Sequence, residues 1–566
     1  MGIRQIGRGS LGGKGQGIGF FLERSDPGKL LDLFAPHRIT VPDTAVVATG
    51  FFDEFVDRAG LSGAIDLEDD REVAAAFLGA ALPDVLMAEL DAYLERVDGP
   101  IAVRSSALNE DALTHPFAGL FLTRFLPNVH ADRRERLRRL SRAVRLVYAS
   151  TYFQGPKAYT RNHGLSIENE RMAVLLQPVV GRRHGDVFYP DVAGVAQSRN
   201  FFPVGYLGSE DGLAFAALGL GKAVVEGRSS MRFCPRYPLV RPQFHSIADI
   251  LRNAQRDFMA VSLAEAPEGE PEVWGPGEDA SGLVTLPIEA AEAHGTLDGL
   301  ADTYVREEGI VVPGMLRPGL RVLTLDPLLR EETFPLPSAL RALVAENERG
   351  FGTPVDVEFA LTFGRDGTGD LTFLQVRPMA AADPDEAVAT PDVPDDRVLI
   401  RSTNAMGHGV IGGLRHLVWV DAEGLSADLG TAVSNEIAEV NRSLFAIGEA
   451  FVLVGPGRWG SANRDLGIPV TYAQISAARV IVEVAPPGRG IQPSQGTHFF
   501  RNVASGRVHY LAVDPERGDR LGDPGALGLR LVREGNHVRH FEADAHGGLV
   551  SVVDGLARSG VVYVPA

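Results

Sequence analysis

The stretch Val355-Asp356-Val357-Glu358-Phe359, the turn Gly364-Arg365-Asp366-Gly367 and the run Leu371-Thr372-Phe373-Leu374-Gln375-Val376-Arg377-Pro378 together read as a β-hairpin. Side chains alternate across a strand, so Asp356 and Glu358 share one face and the apolar residues take the other. On the returning strand Gln375 and Arg377 share a face, with Thr372, Leu374 and Val376 opposite. Antiparallel pairing would set Asp356 and Glu358 beside Gln375 and Arg377. Oxygen donors next to a guanidinium are the groups that hold Mg²⁺ and polyphosphate together. A surface salt-bridge ladder would use the same residues.

Outward from the hairpin, short β-rich runs occur at 101–104, 172–180 and 192–196. Around Asp132 to Tyr152, Leu137, Leu140, Val144, Val147 and Tyr148 recur at three- and four-residue steps among arginines, which predicts an amphipathic helix. Strands interspersed with helices imply an α/β or α+β architecture. Alternating Pro, Asp and Ala over 381–396 reads as a linker. It separates a large region, 1–380, from a smaller mixed α/β region, 397–566. Glu265 to Ser281 reads as an acidic surface excursion within the large region.

The chain has 566 residues, 45% hydrophobic and 23% charged, with 55 Lys+Arg against 73 Asp+Glu and a net charge of −18. A quotient of roughly 150 residues per domain gives three or four domains. Such acidity disfavours duplex DNA or an anionic membrane as partner, because both want clustered positive charge. The arginines from Arg133 to Arg145 read as a solvated helix face rather than an RNA surface. A single cysteine, Cys234, excludes an intramolecular disulfide framework and is expected to be buried. No run reaches ~18 uninterrupted apolar residues, and the first residues lack the apolar core of a signal peptide. A cytoplasmic protein without membrane or nucleic-acid partners is the expectation.

Two further segments carry phosphate-binding chemistry. Gly7-Arg8-Gly9-Ser10-Leu11-Gly12-Gly13-Lys14-Gly15-Gln16-Gly17 reads as a glycine-rich loop with one lysine. It is not a Walker A loop, since Arg8 stands where its first glycine belongs and Gly15 follows Lys14 where Ser or Thr should. Ile101-Ala102-Val103-Arg104-Ser105-Ser106 puts a guanidinium and two hydroxyls at the mouth of a buried strand, where α/β folds dock ligands. Pairing of Arg104 with Glu110 or Asp111 is the plainer alternative.

These segments together resemble the ATP-binding N-terminal region of the pyruvate phosphate dikinase and phosphoenolpyruvate synthase family, an ATP-grasp fold. The matching pieces, in family order, are LGGKG at Leu11–Gly15, VRSSALNED at Val103–Asp111 and FAG at Phe117–Gly119. They continue with MAVLLQPVV at Met172–Val180, GVAQSRN at Gly194–Asn200, GLGKAVVEG at Gly219–Gly227 and LQVRPM at Leu374–Met379. The resemblance implies that Lys14, Arg104 and Arg377 act on the ATP phosphates, with Ser105 beside them and Gln177 near the adenine. It implies that Glu358 and Gln375, with Asp356, hold Mg²⁺ or nucleotide, and that Phe117, Ala118 and Gly119 form part of a phosphate lid. Two positions depart from the family pattern and bear on the acceptor side. Lys222 stands where Glu is common, and Gln197 replaces an aromatic residue.

The family's swivelling phosphohistidine domain, with its Gly-Gly-x-Thr-Ser-His motif, and its pyruvate-binding barrel have no counterpart in the sequence. Residues 397–566 are too few for that barrel, which needs ~250. The chain is therefore not expected to make phosphoenolpyruvate unaided. Downstream of the linker, His408 lies between glycines and His498 precedes two phenylalanines. Either imidazole could accept a phosphoryl group, although a hydrogen-bonded structural histidine is the commoner case. Gly455 to Ser461, containing Arg458 and Trp459, could cradle an anion or form a structural turn. His537 and His540 lack the further ligands a zinc site needs. The expected function is an ATP-dependent phosphotransferase of dikinase type, using ATP and Mg²⁺ and passing a phosphoryl group to a histidine or a small molecule. A catalytically idle nucleotide-binding regulatory module is the alternative.

Overall fold

The computed structural model describes the chain except for residues 1, 25–29, 31–32, 111–116, 118, 163, 242, 265–281, 380–387, 422–427, 462, 464–465, 489–492, 495–496, 506–507, 544–546 and 566. The acidic excursion at 265–281, Ala118 and residues 381–387 of the expected linker lie outside the described residues, while the rest of that stretch packs on the C-terminal part, with Val393 buried against Val398, Val552 and Val561.

Two sheets organise the region before the linker. The first has five strands in the order Arg4–Ile6, Ala45–Val47, Met172–Pro178, Ile101–Ala107 and Thr123–Leu126. The second has six, in the order Met231–Phe233, Leu213–Ala217, Val192–Gln197, Val355–Phe363, Gly369–Pro378 and Arg38–Thr40. The hairpin forms as the alternation requires, antiparallel, with Asp356 opposite Arg377 and Glu358 opposite Gln375.

One detail of that hairpin departs from simple alternation. The register shifts after Glu358, so Phe359 faces Phe373 and Leu374 is the extra residue of a bulge. A bulge reverses the alternation beyond it. Leu371 and Phe373 therefore join Val376 in the core, where Phe373 stacks on Phe21 at 4.0 Å. Leu374 instead lines the cleft described below.

The glycine-rich N-terminal segment also differs from the loop expected. Only its first part is loop, and from Gly12 to Arg24 it is a helix wedged between the two sheets. The glycines serve that close approach. A Cβ on Gly12 (φ +66) would lie 1.6 Å from the Ser106 carbonyl oxygen of the first sheet. One on Gly17 would lie 2.8 Å from the Val376 carbonyl oxygen of the second.

The predicted basic helix spans Arg133–Ala149, its apolar face buried under the first sheet. Three of its arginines are met by acids, and Arg145 donates to the Leu78 and Ala80 carbonyls. Arg133 pairs with Asp91 and Glu95, and Arg138 and Arg139 with Glu135. Cys234 is buried.

After the linker, a seven-stranded sheet carries four parallel neighbours, His416–Val420, Phe451–Pro456, Ala478–Val484 and His509–Val513. Helices Gly430–Ala446 and His498–Ser505 contribute to the core on one face of this sheet, and a five-stranded antiparallel sheet packs on the other. This part is docked on the first. Phe202 is buried among its side chains, and Tyr472 enters the core of the five-stranded sheet of the first region, 5.2 Å from Tyr159. Ser461 donates to the Gly227 carbonyl at 3.2 Å, and Asn463 to Ser229 at 3.1 Å. Among the described residues no single helix is long and apolar enough to cross a membrane.

Candidate functional site

Between the two sheets and the docked C-terminal part lies a cavity of about 380 Å³, within the range of nucleotide-sized ligand sites. Each wall comes from an element whose local fold is already explained. The helix held close by Gly12 delivers Lys14, the buried strand Ile101–Ala107 delivers Arg104 and Ser105, and the hairpin delivers Glu358 and Arg377.

The polar end is a network that ties the two sheets together. Arg104 donates through Nη1 to Gln177 Oε1 at 3.2 Å, and through Nη2 to Glu358 Oε2 at 2.9 Å and Gln375 Oε1 at 2.8 Å. Arg377 Nη2 donates to Glu358 Oε1 at 3.0 Å and to Gln375 Oε1 at 3.1 Å. Glu358 thus accepts from both guanidiniums, one on each of its oxygens. Charge-assisted bonds of this kind are about twice as strong as neutral ones, and the side chains of Arg104, Glu358 and Arg377 are only slightly exposed.

A third cation stands beside them. Lys14, almost fully buried, pairs with Glu110 and donates to Ser105 Oγ at 3.3 Å. Ser105 in turn donates to Glu110 Oε1 at 2.9 Å. Glu110, one of the two carboxylates that the plainer alternative offered Arg104, therefore belongs to Lys14, and Arg104 takes Glu358. Asp111 lies outside the described residues.

The opposite end of the cavity is apolar, with Phe125, Val179, Val180 and Leu220 in its wall. Gln177, expected near an adenine, does line the cavity. Its side chain, however, accepts from Arg104 and donates to Thr44 Oγ1 at 3.3 Å, so it faces the cationic end.

Other sequence-derived site residues separate into two groups. Phe117 is in the core, stacked on Phe121 at 5.4 Å and 4.6 Å from Tyr159, so its ring anchors the turn instead of facing the cleft. Gly119 (φ +67) does line the cleft, and a Cβ there would lie 2.8 Å from the ring of His498. Asp356 is buried and does not line the cleft, and Gln197 donates to its Oδ2 at 3.1 Å. The glutamine that departs from the family pattern is thus the partner of the hairpin's first carboxylate.

Magnesium usually takes one or two protein oxygens and completes its shell with water and substrate phosphates. Glu358 lines the cleft beside cationic groups, Gln375 is buried next to it without lining the cleft, and Asp356 lies two residues from Glu358 along the same strand. The described residues contain no cluster of three or more His, Cys, Asp and Glu suited to a metal by themselves. The donor set therefore fits a cation that arrives with phosphate.

The C-terminal part contributes residues that sequence reasoning did not place in the cleft. Gly460, Ser461, Thr471, Tyr472, His498 and Asn502 all line it. His408 does not, and its Nδ1 accepts from the Gly555 amide at 3.2 Å. Lys222 lines the cleft and pairs with Glu226 at 2.9 Å.

A family profile described as the pyruvate phosphate dikinase AMP/ATP-binding domain matches residues 8–397. No curated protein matches the chain. All of the polar-network residues above, from Lys14 to Arg377, fall inside the matched span.

Proposed function

The chain belongs to the pyruvate phosphate dikinase AMP/ATP-binding domain family, and from that premise we propose that it is an ATP-dependent phosphotransferase of dikinase type. The observation that carries the proposal is the convergence of Arg104 and Arg377, from different sheets, on Glu358 and Gln375 beside Lys14. Phosphoryl transfer asks a protein mainly for positioning and charge neutralisation, and these residues supply both. In this reading the adenine occupies the apolar end and the phosphates displace the carboxylate partners of the cations. Mg²⁺, held through Glu358 and Gln375, would neutralise phosphate charge.

The acceptor is a histidine or a small molecule. His498 is the histidine, of the two singled out in the sequence, that lines the cleft. Transfer to it would form a P–N bond from a ring nitrogen to the γ-phosphorus, break the bond to the β–γ bridging oxygen and release ADP. Residues 397–566 would then form a module that closes the cleft and presents the acceptor.

A regulatory, catalytically idle module is the second reading, favoured by the carboxylate partners that Lys14, Arg104 and Arg377 already have without nucleotide. Incubation with ATP labelled at the β or γ position separates the two. The enzyme reading expects acid-labile protein phosphate or a released AMP or ADP, lost in Arg377→Ala with modest change in ATP affinity. Loss of the label in His498→Gln would assign the acceptor. Absence of any turnover, with ATP affinity alone altered in Arg377→Ala, would leave the regulatory reading standing.

A further inference from the structure

A second cavity, of about 1050 Å³, lies between the family-matched region and the C-terminal part, walled by residues from 204 to 257 and from 457 to 517. Its described lining carries six guanidiniums, from Arg228, Arg232, Arg252, Arg256, Arg458 and Arg517. Only two carboxylates, Asp249 and Asp257, line it with them. On a chain of net charge −18 this concentration of cations runs against the average.

Nearby acids account for only part of that charge. Asp249 is 3.7 Å from Arg252, Asp257 and Glu226 are 3.6 and 3.9 Å from Arg228, Asp514 is 3.4 Å from Arg517, and the charge of Glu483 acts on Arg458. Arg256 donates to the Leu251 carbonyl at 2.8 Å. The guanidinium of Arg232 makes no hydrogen bond or ion pair among the described residues. Burial and the neighbouring Arg458 push its pKa down to about 10, leaving it charged at neutral pH. A partly buried cation without a counter-charge costs stability, and a bound anion would supply the missing partner.

The place in the fold is also one where ligands dock. Gly457 and Arg458 follow the carboxyl end of the Phe451–Pro456 strand, and Val484 and Pro486 stand at the end of the parallel Ala478–Val484 strand. Crevices at the carboxyl ends of parallel strands, and between domains, are the usual ligand sites of α/β proteins. The turn containing Arg458 is the segment whose sequence suggested an anion cradle.

We propose that this second cavity binds a small molecule carrying two or more phosphate groups. Planar guanidiniums pair bidentately with phosphate, and six of them around one cavity exceed what a single phosphate can engage. Arg228 lines both this cavity and the nucleotide cleft, so the two sites share a wall but not their phosphate-binding residues.

Calorimetric titration of the full chain with inorganic pyrophosphate tests the proposal. The Arg104→Met background weakens the cleft's own contribution, and the Arg232 substitutions then separate the two sites. Binding should persist in Arg104→Met, weaken roughly tenfold when Arg232→Gln is added, and recover to within about threefold of the Arg104→Met value with Arg232→Lys in its place. Should Arg232→Gln fail to fold by circular dichroism, Arg256→Gln carries the test with a several-fold loss expected. No heat at millimolar pyrophosphate, binding abolished by Arg104→Met, or affinity indifferent to the substitution of Arg232 or Arg256 would each overturn it.

Discussion

Replacing Arg104 by methionine removes the guanidinium that joins the two sheets while keeping a long side chain in the strand. Three bonds are lost, to Gln177, Glu358 and Gln375. All three carry the charge of the guanidinium, but only the one to Glu358 is an ion pair, and Glu358 keeps Arg377 at 3.0 Å. The nucleotide-free protein should therefore lose only about 1–3 kcal/mol, much less than an unpaired buried charge would cost. Nucleotide binding should suffer more selectively, because a guanidinium on phosphate contributes about 1.5–3 kcal/mol. Dissociation constants for ATP and ADP should rise by roughly 10- to 150-fold, while adenosine, which lacks phosphate, should bind almost as before. Calorimetry with the three ligands, together with circular dichroism as a check on folding, makes the comparison. A folded variant whose ATP affinity shifts less than about threefold would refute the placement of phosphates at this network.

Lys14→Met should leave the buried Glu110 carboxylate without its cation, at a cost of about 3–5 kcal/mol in denaturant unfolding. Adding Glu110→Gln should recover most of that loss, a coupling that a double-mutant cycle reads directly. Gly12→Ala forces a Cβ into the Ser106 carbonyl at a positive φ, and should cost about 3 kcal/mol or more or abolish soluble expression. Glu483 is fully buried near the carboxyl end of the inner strand Ala478–Val484, which pushes its carboxyl up to about 7 despite hydrogen bonds from Ser494, Tyr510 and the Trp459 amide. Because the folded form holds its proton more tightly, its stabilisation is full below about 4.5 and lost as pH rises to about 7. Glu483→Gln should remove a pH-dependent difference on the order of 3 kcal/mol over that window, seen as a flatter profile of melting temperature against pH.

The parts of the site that a strand writes along its own length were legible in the sequence. Period-two alternation placed Asp356 and Glu358 together and matched them to Gln375 and Arg377, because pairing of adjacent strands is a local event. The bulge at Leu374 was not legible, since one inserted residue leaves the composition of the strand unchanged while reversing the faces beyond it. Glycines 12 to 17 carried a phosphate-loop signature, yet their task is to let a helix touch two sheets, a constraint set by distant carbonyls. The partner of Lys14 could not be chosen from Glu110 alone, because the competing guanidinium of Arg104 is drawn to a carboxylate far along the chain. The entry of His498 into the cleft depends on docking two separately folded parts, which no short motif records.

The most direct test of the account is a crystal structure of the full chain with magnesium and a non-hydrolysable ATP analogue. The account predicts the triphosphate between Lys14, Arg104 and Arg377, a magnesium ion on Glu358 and Gln375, and the adenine against Val179 and Val180. Density for the analogue elsewhere, or a cleft whose cations keep their carboxylate partners at saturating ligand, would contradict it.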